Sequence, residues 1–345
     1  MSATTTTIAT PAQAAAAIPK ASFDWIPIAL VAALALIALP LIGSPSTWVT
    51  LTVAGLAMGM IIFIIASGLT LVFGLMDVLN FGHGVFIALG AYLATSVLGA
   101  MSGWTTSPEL WRNLVPVFAT MVVAMLIAGA VGWAFERVLV RPVYGQHLKQ
   151  ILITMGGMII GEELIKVIWG ATPIPIEMPA ALRGVITLFG DAAVEKYRLL
   201  ATVIGLVVLL AMLYTLNRTK LGLLIRAGVQ DREMVESLGY RIRRLFVGVF
   251  VAGSALAGLG GALWGLYQQG VVPQIGAHVN VLIFIVIIIG GLGSTMGCFI
   301  GALLIGLMAN YTGFLAPKVA MFSNIGLMVL ILLWRPQGLY PVANR

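Results

Sequence analysis

Polar side chains are scarce in this sequence, so the few that stand between apolar runs are where chemistry is to be sought. The first group lies in Gly74-Leu-Met-Asp-Val-Leu-Asn-Phe-Gly-His-Gly84, which sets Asp77, Asn80 and His83 in a short link between two apolar runs. If the link dips into a bilayer, those groups need hydrogen-bond partners, and polar groups at such depth mark a solute path. If it is a plain turn at the membrane surface, Asn80 caps a helix that starts near Phe81. Both readings stand on the residues alone.

The second group runs from Arg218 to Arg244 and sets seven bases against Asp231, Glu233 and Glu236. Residues 227–238 predict a short amphipathic helix, with Ala227, Met234 and Leu238 on a narrow apolar face. Val235 flanks that face, Asp231 interrupts it, and Gly239 ends the helix as a C-terminal cap. Such a helix either holds a loop against lipid headgroups or docks a cytoplasmic partner, and both need the same pattern. The third group is Gly161-Glu-Glu-Leu-Ile-Lys166, inside an apolar run. Glu162 and Lys166 stand four apart in the acid-first order that favours a helix pair. A buried carboxylate relay is one reading. A structural ion pair near the outer membrane boundary is the favoured one, because a loop at 170–197 begins close by.

Enzyme chemistry finds little to stand on. No G-x-x-x-x-G-K-[ST] cradle for nucleotide phosphates is present. No H-E-x-x-H or cysteine cluster offers a metal site, and His83, His147 and His278 lie far apart. A lone cysteine, Cys298, excludes an intrachain disulfide and reads as a small packing residue. If ATP drives this protein, another subunit binds it.

The elements that position these groups follow from composition. The chain is 60% hydrophobic and 9% charged, against about 25% charged residues in soluble domains. Lipid therefore replaces water around most of it, and its continuous apolar runs are helical rather than barrel-like. The runs are 26–43, 50–73, 84–100, 114–134, 150–169, 198–216, 245–266, 279–290, 296–314 and 321–334, which predicts about ten spans. The short runs 84–100, 279–290 and 321–334 are candidates for broken or re-entrant elements. With ten spans and both termini inside, 13 of the 19 basic residues fall on one side, as cytoplasmic segments require. The net charge of +7 is thus a topology signal and not one for nucleic acid. Small-xxx-small patterns at Gly157/Gly161 and Gly297/Gly301, and Gly258, Gly260, Gly261 and Gly265, predict close helix crossings. Gly84-Val-Phe-Ile-Ala and Gly297-Cys-Phe-Ile-Gly also echo each other after Gly-rich breaks, a weak sign of paired interrupted segments.

The stretch GLTLVFGLMDVLNFGHGVFIALGAYLA (Gly68 to Ala94) resembles the signature of permease subunits of branched-chain amino acid ABC transporters. There, Asn-Phe-small-His-Gly follows a Gly-Leu-Thr-Leu helix, more often with Ala where this chain has Gly82. Arg226 to Gly239 is similar to that family's cytoplasmic coupling segment. The stretch GGLGSTMGCFIGALLIGL (Gly290 to Leu307) and the ending WRPQGL (Trp334 to Leu339) complete the match. The resemblance implies an all-α, multi-pass permease in a bacterial cytoplasmic (inner) membrane. Its partners would be a second permease, two cytoplasmic ATPases and an extracytoplasmic binding protein, with ATP bound on the partners and no cofactor in this chain. It implies that Asn80, Phe81, His83 and Gly84 lie near the translocation path. It also implies that Arg226, Asp231, Arg232, Glu236, Leu238 and Gly239 dock in the ATPase, with Glu236 and Gly239 in closest contact. The expected organisation is a cytoplasmic tail over 1–24, a permease domain over 25–340 with a coupling segment at 217–244, and a short tail at 341–345. Relatives of such permeases carry branched-chain amino acids, amides, urea or aromatic acids. The rival reading is a self-sufficient secondary transporter or channel with Glu162, Glu163 or Asp77 as ion sites. A membrane-bound enzyme would need a catalytic cluster that the sequence does not offer.

Overall fold

The computed structural model describes residues 24–187, 191–230 and 232–341, so most of both expected tails lies outside the described residues. The chain enters helix α1 (Ile26–Ile42), then α2 (Pro45–Met76), α3 (His83–Ala100) and α4 (Leu110–Phe135), which runs on through a π turn (Glu136–Val140). Helices α5 (His147–Trp169), α6 (Lys196–Arg218), α7 (Lys220–Gln230) and α8 (Arg232–Ser237) follow. The last four are α9 (Ile242–Gln268), α10 (Ile275–Gly290), α11 (Thr295–Leu315) and α12 (Ala320–Trp334). Strand β1 (Ile174–Pro175) pairs antiparallel with β4 (Gly270–Val271), and β2 (Val185–Thr187) pairs with β3 (Ala193–Glu195).

Each apolar run of the sequence falls on one of these helices. Six helices (α2, α3, α4, α6, α9 and α11) are long and apolar enough to cross a membrane. Helix α5 has the length, but Glu162, Glu163 and Lys166 remove it from that set, and α1, α10 and α12 are shorter. Local chemistry sets the ends. Ser44 caps α2 ahead of Pro45, and Ser294 caps α11 by accepting from the Gly297 N–H at 3.1 Å.

Helices α2 and α9 form the centre. Residues 61–70 of α2 and 257–266 of α9 are buried on every side, as expected for helices apolar all round. Glycine lets their backbones touch other helices directly. Gly68 of α2 faces Gly253 of α9, and Gly59 of α2 faces Ala302 of α11. Gly90 of α3 faces Gly258 of α9, while Gly261 of α9 meets the Ile87 carbonyl. Dispersion drives helix association in lipid, so closer backbones mean more contact.

One end of the bundle is tied together by a run of contacts. Arg335 donates to Asp24 at 2.6 Å, and that hydrogen bond holds the Asp24 carboxyl below its ordinary range. The Tyr340 and Leu339 N–H groups donate to the Gly290 and Ile289 carbonyls, and Gly74 backs onto Gly293. His147 lies 3.6 Å from Asp77, and Tyr144 meets Phe246 near the start of α9. The segments assigned to the basic side by sequence therefore share one end. The described residues of the segment between α5 and α6 close the opposite end, where Asn113, fully buried, donates to the Ser107 and Glu109 carbonyls and accepts from the Ala181 N–H.

Candidate translocation site and coupling segment

The link between α2 and α3 turns back into the bundle. Asp77 ends α2 with φ 53°, a left-handed conformation that disfavours most side chains. The chain then passes through a turn at Phe81 and Gly82, and the His83 ring reaches the Ile65 carbonyl at 3.1 Å. Ile65 precedes the end of α2 by eleven residues, about 16 Å of helix. Helix α3 thus begins inside the bundle. Asn80 and His83 are 1% and 0% exposed, which rules out the surface-turn reading of this link.

Neighbouring helices hold the link. The Phe81 N–H donates to Thr154 of α5 at 3.2 Å, and its carbonyl accepts from Asn280 of α10 at 3.0 Å. The Phe81 ring stacks on Phe284 with centroids 4.6 Å apart. Asn80 does not cap the helix as expected: α3 starts at His83, Gly82 stands at the cap position, and no side chain caps it. Both polar atoms of the Asn80 side chain are buried without a hydrogen bond among the described residues. A buried amide left this way costs about 1–3 kcal/mol. Thr154, Asn280 and Phe284 were missed by the sequence reading. Thr154 and Asn280 were signalled only as polar residues inside apolar runs, and Phe284 by nothing.

Gly82 has a neighbour of its own. A Cβ there would lie 2.4 Å from the tip of the Phe135 ring, which is held between Phe86 and Phe250. Gly82→Ala should therefore lower stability by about 1–3 kcal/mol, the usual cost of overpacking. Thermal melting of the purified protein checks this. Gly82→Ala combined with Phe135→Leu should recover most of the loss, and a single variant melting like the parent would show that the ring yields freely.

A second break has the same construction. Gln269 ends α9 with φ 56°, and with Asp77 it is one of two non-glycine residues with positive φ among those described. The chain again turns inward before starting a short helix, α10. The two short helices meet at their first turns, Gly84 of α3 against Gly276 of α10. The expected echo between Gly84 and Gly297 takes a different form. Both glycines back onto α10, Gly84 at its start and Gly297 at Gly290 near its end.

On α5, Lys166 reaches Glu162 at 3.2 Å and Glu163 at 2.7 Å, so the expected pair is a triad. Asp77, half exposed, lies at the tied end of the bundle and far along the chain from these carboxylates.

The helix expected over 227–238 is described as helix up to Gln230 and again from Arg232 to Ser237. Two helices, α7 and α8, flank position 231, and Asp231 itself lies outside the described residues. The side chains of Arg226 and Arg232 also lie outside them. Val235, expected only to flank the apolar face, is the anchor at 1% exposure, with Ile225 and Ile242 buried nearby. Met234, Leu238 and Tyr240 stand exposed, and Glu236 is exposed beside them. Gly239 adopts φ 85° with open space where a side chain would go, so it does terminate α8 as expected.

A multi-helix bundle with broken helices and an exposed basic segment defines a membrane transport component. Residues 51–333 match the family described as the permease component of branched-chain amino acid transport systems, and the chain belongs to it. It is 28% identical over 293 residues to the high-affinity branched-chain amino acid transport system permease protein LivH of Salmonella typhimurium, covering 83% of this chain and 92% of that one. BraD of Pseudomonas aeruginosa, a permease protein of the same description, is 30% identical over 302 residues, 83% and 94% of the two chains. LivM of Escherichia coli is 28% identical over 312 residues, covering 83% of this chain and 69% of that one. No solved structure gives a significant match.

Proposed function

We propose that this chain is one of two permease subunits of an ATP-driven importer for branched-chain amino acids or related small solutes, in a bacterial inner membrane. The family match across residues 51–333 carries the reading. Relatives in one organism, Escherichia coli, bear two permease names, LivH and LivM, which supports pairing with a second and different permease. Ten spans with both ends on the cytoplasmic side fit the shared end of the basic segments. ATP is bound by two partner subunits, and an extracytoplasmic binding protein delivers the solute.

In this reading α7 and α8 receive the ATPase stroke. Helix α7 packs on α2 and α8 on α9, so a tilt of the pair is passed to the two central helices. ATP binding opens the path toward the binding protein, and after hydrolysis the path faces the cytoplasm. Asn80, Phe81, His83 and Gly84 sit where α2, α3, α5 and α10 must shift against one another, and the unpaired Asn80 amide gains partners in a rearranged state. Reconstitution with all partners in vesicles tests this. ATP-dependent leucine uptake is expected, with none from this chain alone under an ion gradient. Uptake by the chain alone would overturn the reading in favour of a secondary transporter.

A further inference from the structure

Glu136, at 1% exposure, is the only acidic side chain buried among the described residues, and it opens the π turn (Glu136–Val140) that follows α4. A proline accounts for the turn. Pro142 has no N–H to give the Val138 carbonyl, and its ring crowds that carbonyl, so an α-helix cannot run on through it. The Arg141 N–H instead reaches back five residues to the Glu136 carbonyl. A π turn holds one residue more than an α turn. Undoing it turns one side of the helix against the other by about 100°. The element thus has two discrete arrangements, and a neighbouring contact selects between them.

That contact is one hydrogen bond. The Tyr144 hydroxyl donates to the Glu136 carboxylate across the turn, and no ion pair reaches Glu136 among the described residues. A buried carboxyl group with so few partners depends on the one it has. Gln150 of α5, also 1% exposed, holds the next residue back by donating to the Val143 carbonyl at 3.2 Å. Val143 and Tyr144 are thereby clamped between the π turn and α5. The clamp stands between the coupling segment and the solute path. On the coupling side, Ile242 of α9 lies against Gly228 of α7, and one turn on, Phe246 meets the Tyr144 ring edge-on. On the path side, Phe135, next to Glu136, presses the tip of its ring on Gly82. Thr154, one turn beyond Gln150, takes the Phe81 N–H.

We propose that Glu136 and Tyr144 are positioning residues for transport, whose hydrogen bond carries movement of the coupling segment to the link at Gly82. When α7 and the start of α9 move, Phe246 takes the Tyr144 ring with it. The hydroxyl leaves Glu136, and the π turn shifts. The Phe135 ring then comes off Gly82, which frees the link from Asn80 to Gly84 to rearrange. Neither residue touches the solute, so both act through Phe135.

The inference rests on the importer reading, and the experiment separates the two. The complete transporter with its binding protein is assayed in vesicles for leucine uptake and ATP hydrolysis, and the readout is uptake per ATP hydrolysed. Tyr144→Phe keeps the ring on Phe246 and removes only the hydroxyl. Its ratio is expected to fall about five-fold, the scale of one lost hydrogen bond, while hydrolysis persists. Glu136→Leu should fall as far, and combining the two should lower the ratio no further. Glu136→Gln keeps an acceptor for the hydroxyl and should keep most of the parent ratio. A contact that only holds the fold together would lower uptake and hydrolysis in step and leave the ratio unchanged. An unchanged ratio in Tyr144→Phe therefore overturns the proposal, as does a ratio in Glu136→Gln as low as in Tyr144→Phe. If Glu136→Leu fails to assemble, that comparison of Tyr144→Phe with Glu136→Gln decides by itself. A parent complex that takes up no leucine with ATP overturns the importer reading instead.

Discussion

Gly90→Ala is expected to leave almost no folded transporter, while Gly99→Ala on the same helix leaves it intact. A Cβ on Gly90 would lie 2.0 Å from the Gly258 carbonyl oxygen, and the next nearest atoms are also backbone of Gly258. No side chain is there to rotate away. Ordinary Cβ contacts begin near 3.4 Å, so α3 and α9 would have to part by about 1.4 Å along their whole crossing. Packed cores answer even smaller intrusions with losses of about 1–3 kcal/mol, and here the loss should reach or exceed the top of that range. Lipid offers no compensation, because it does not drive apolar helices together as water does. Gly99 has nothing within 4 Å, and alanine is the better helix former by about 1 kcal/mol. The check is the yield and melting temperature of the detergent-solubilised complex for both variants. Equal melting of Gly90→Ala and the parent would mean that the α3–α9 crossing is looser than its geometry.

The same crossing shows what a sequence discloses and what it withholds. Helix positions were legible because each apolar run is continuous, and lipid requires its backbone to be hydrogen-bonded internally. Glycines such as Gly258 and Gly261 were legible as contact points but not in their partners. That choice depends on which helix lies opposite, and a stripe of small residues fits several neighbours equally well. The inward turn at Asp77 was legible as a break in apolar sequence. Its depth was not, because it is set by the length of α2, which overshoots His83 by about three turns. The matching turn at Gln269 went unread, since Gln269-Gly-Val-Val-Pro273 resembles any exit from a helix. Of the site, Asn80 and His83 stood out as polar residues in apolar surroundings, while Phe135 and Phe284 look like core residues anywhere. Val235 was legible as a flank of the apolar face but not as the anchor, because which side of the helix meets the bundle depends on the neighbours it packs against.

The exposed side of α8 yields the second large prediction, Leu238→Asp. Leu238 is 67% exposed and Met234 46%, on a segment that otherwise carries seven bases and stands at the basic end of the bundle. Val235, at 1% exposure, holds α8 down from beneath. The exposed pair can thus be changed without disturbing the anchor. If the ridge seats in a groove of the ATPase, burying a carboxylate there removes a contact of the kind that costs 2 kcal/mol or more, about thirty-fold in affinity. The expected result is a permease that folds and melts like the parent but loses the ATPase on co-purification. Its ATP-dependent uptake should fall in proportion. Val235→Asp should instead lower the melting temperature, because it buries an unpaired charge. Gly239→Arg acts on both accounts: it forces an L side chain into φ 85° and sets a cation beside the ridge. The alternative role of this segment, lying against lipid headgroups, predicts a different outcome. Leu238→Asp would then weaken attachment of α7 and α8 to anionic vesicles and leave ATPase recovery unchanged. Full recovery of the ATPase with both Leu238→Asp and Gly239→Arg would therefore move the point of force entry off this segment, whatever the family resemblance implies.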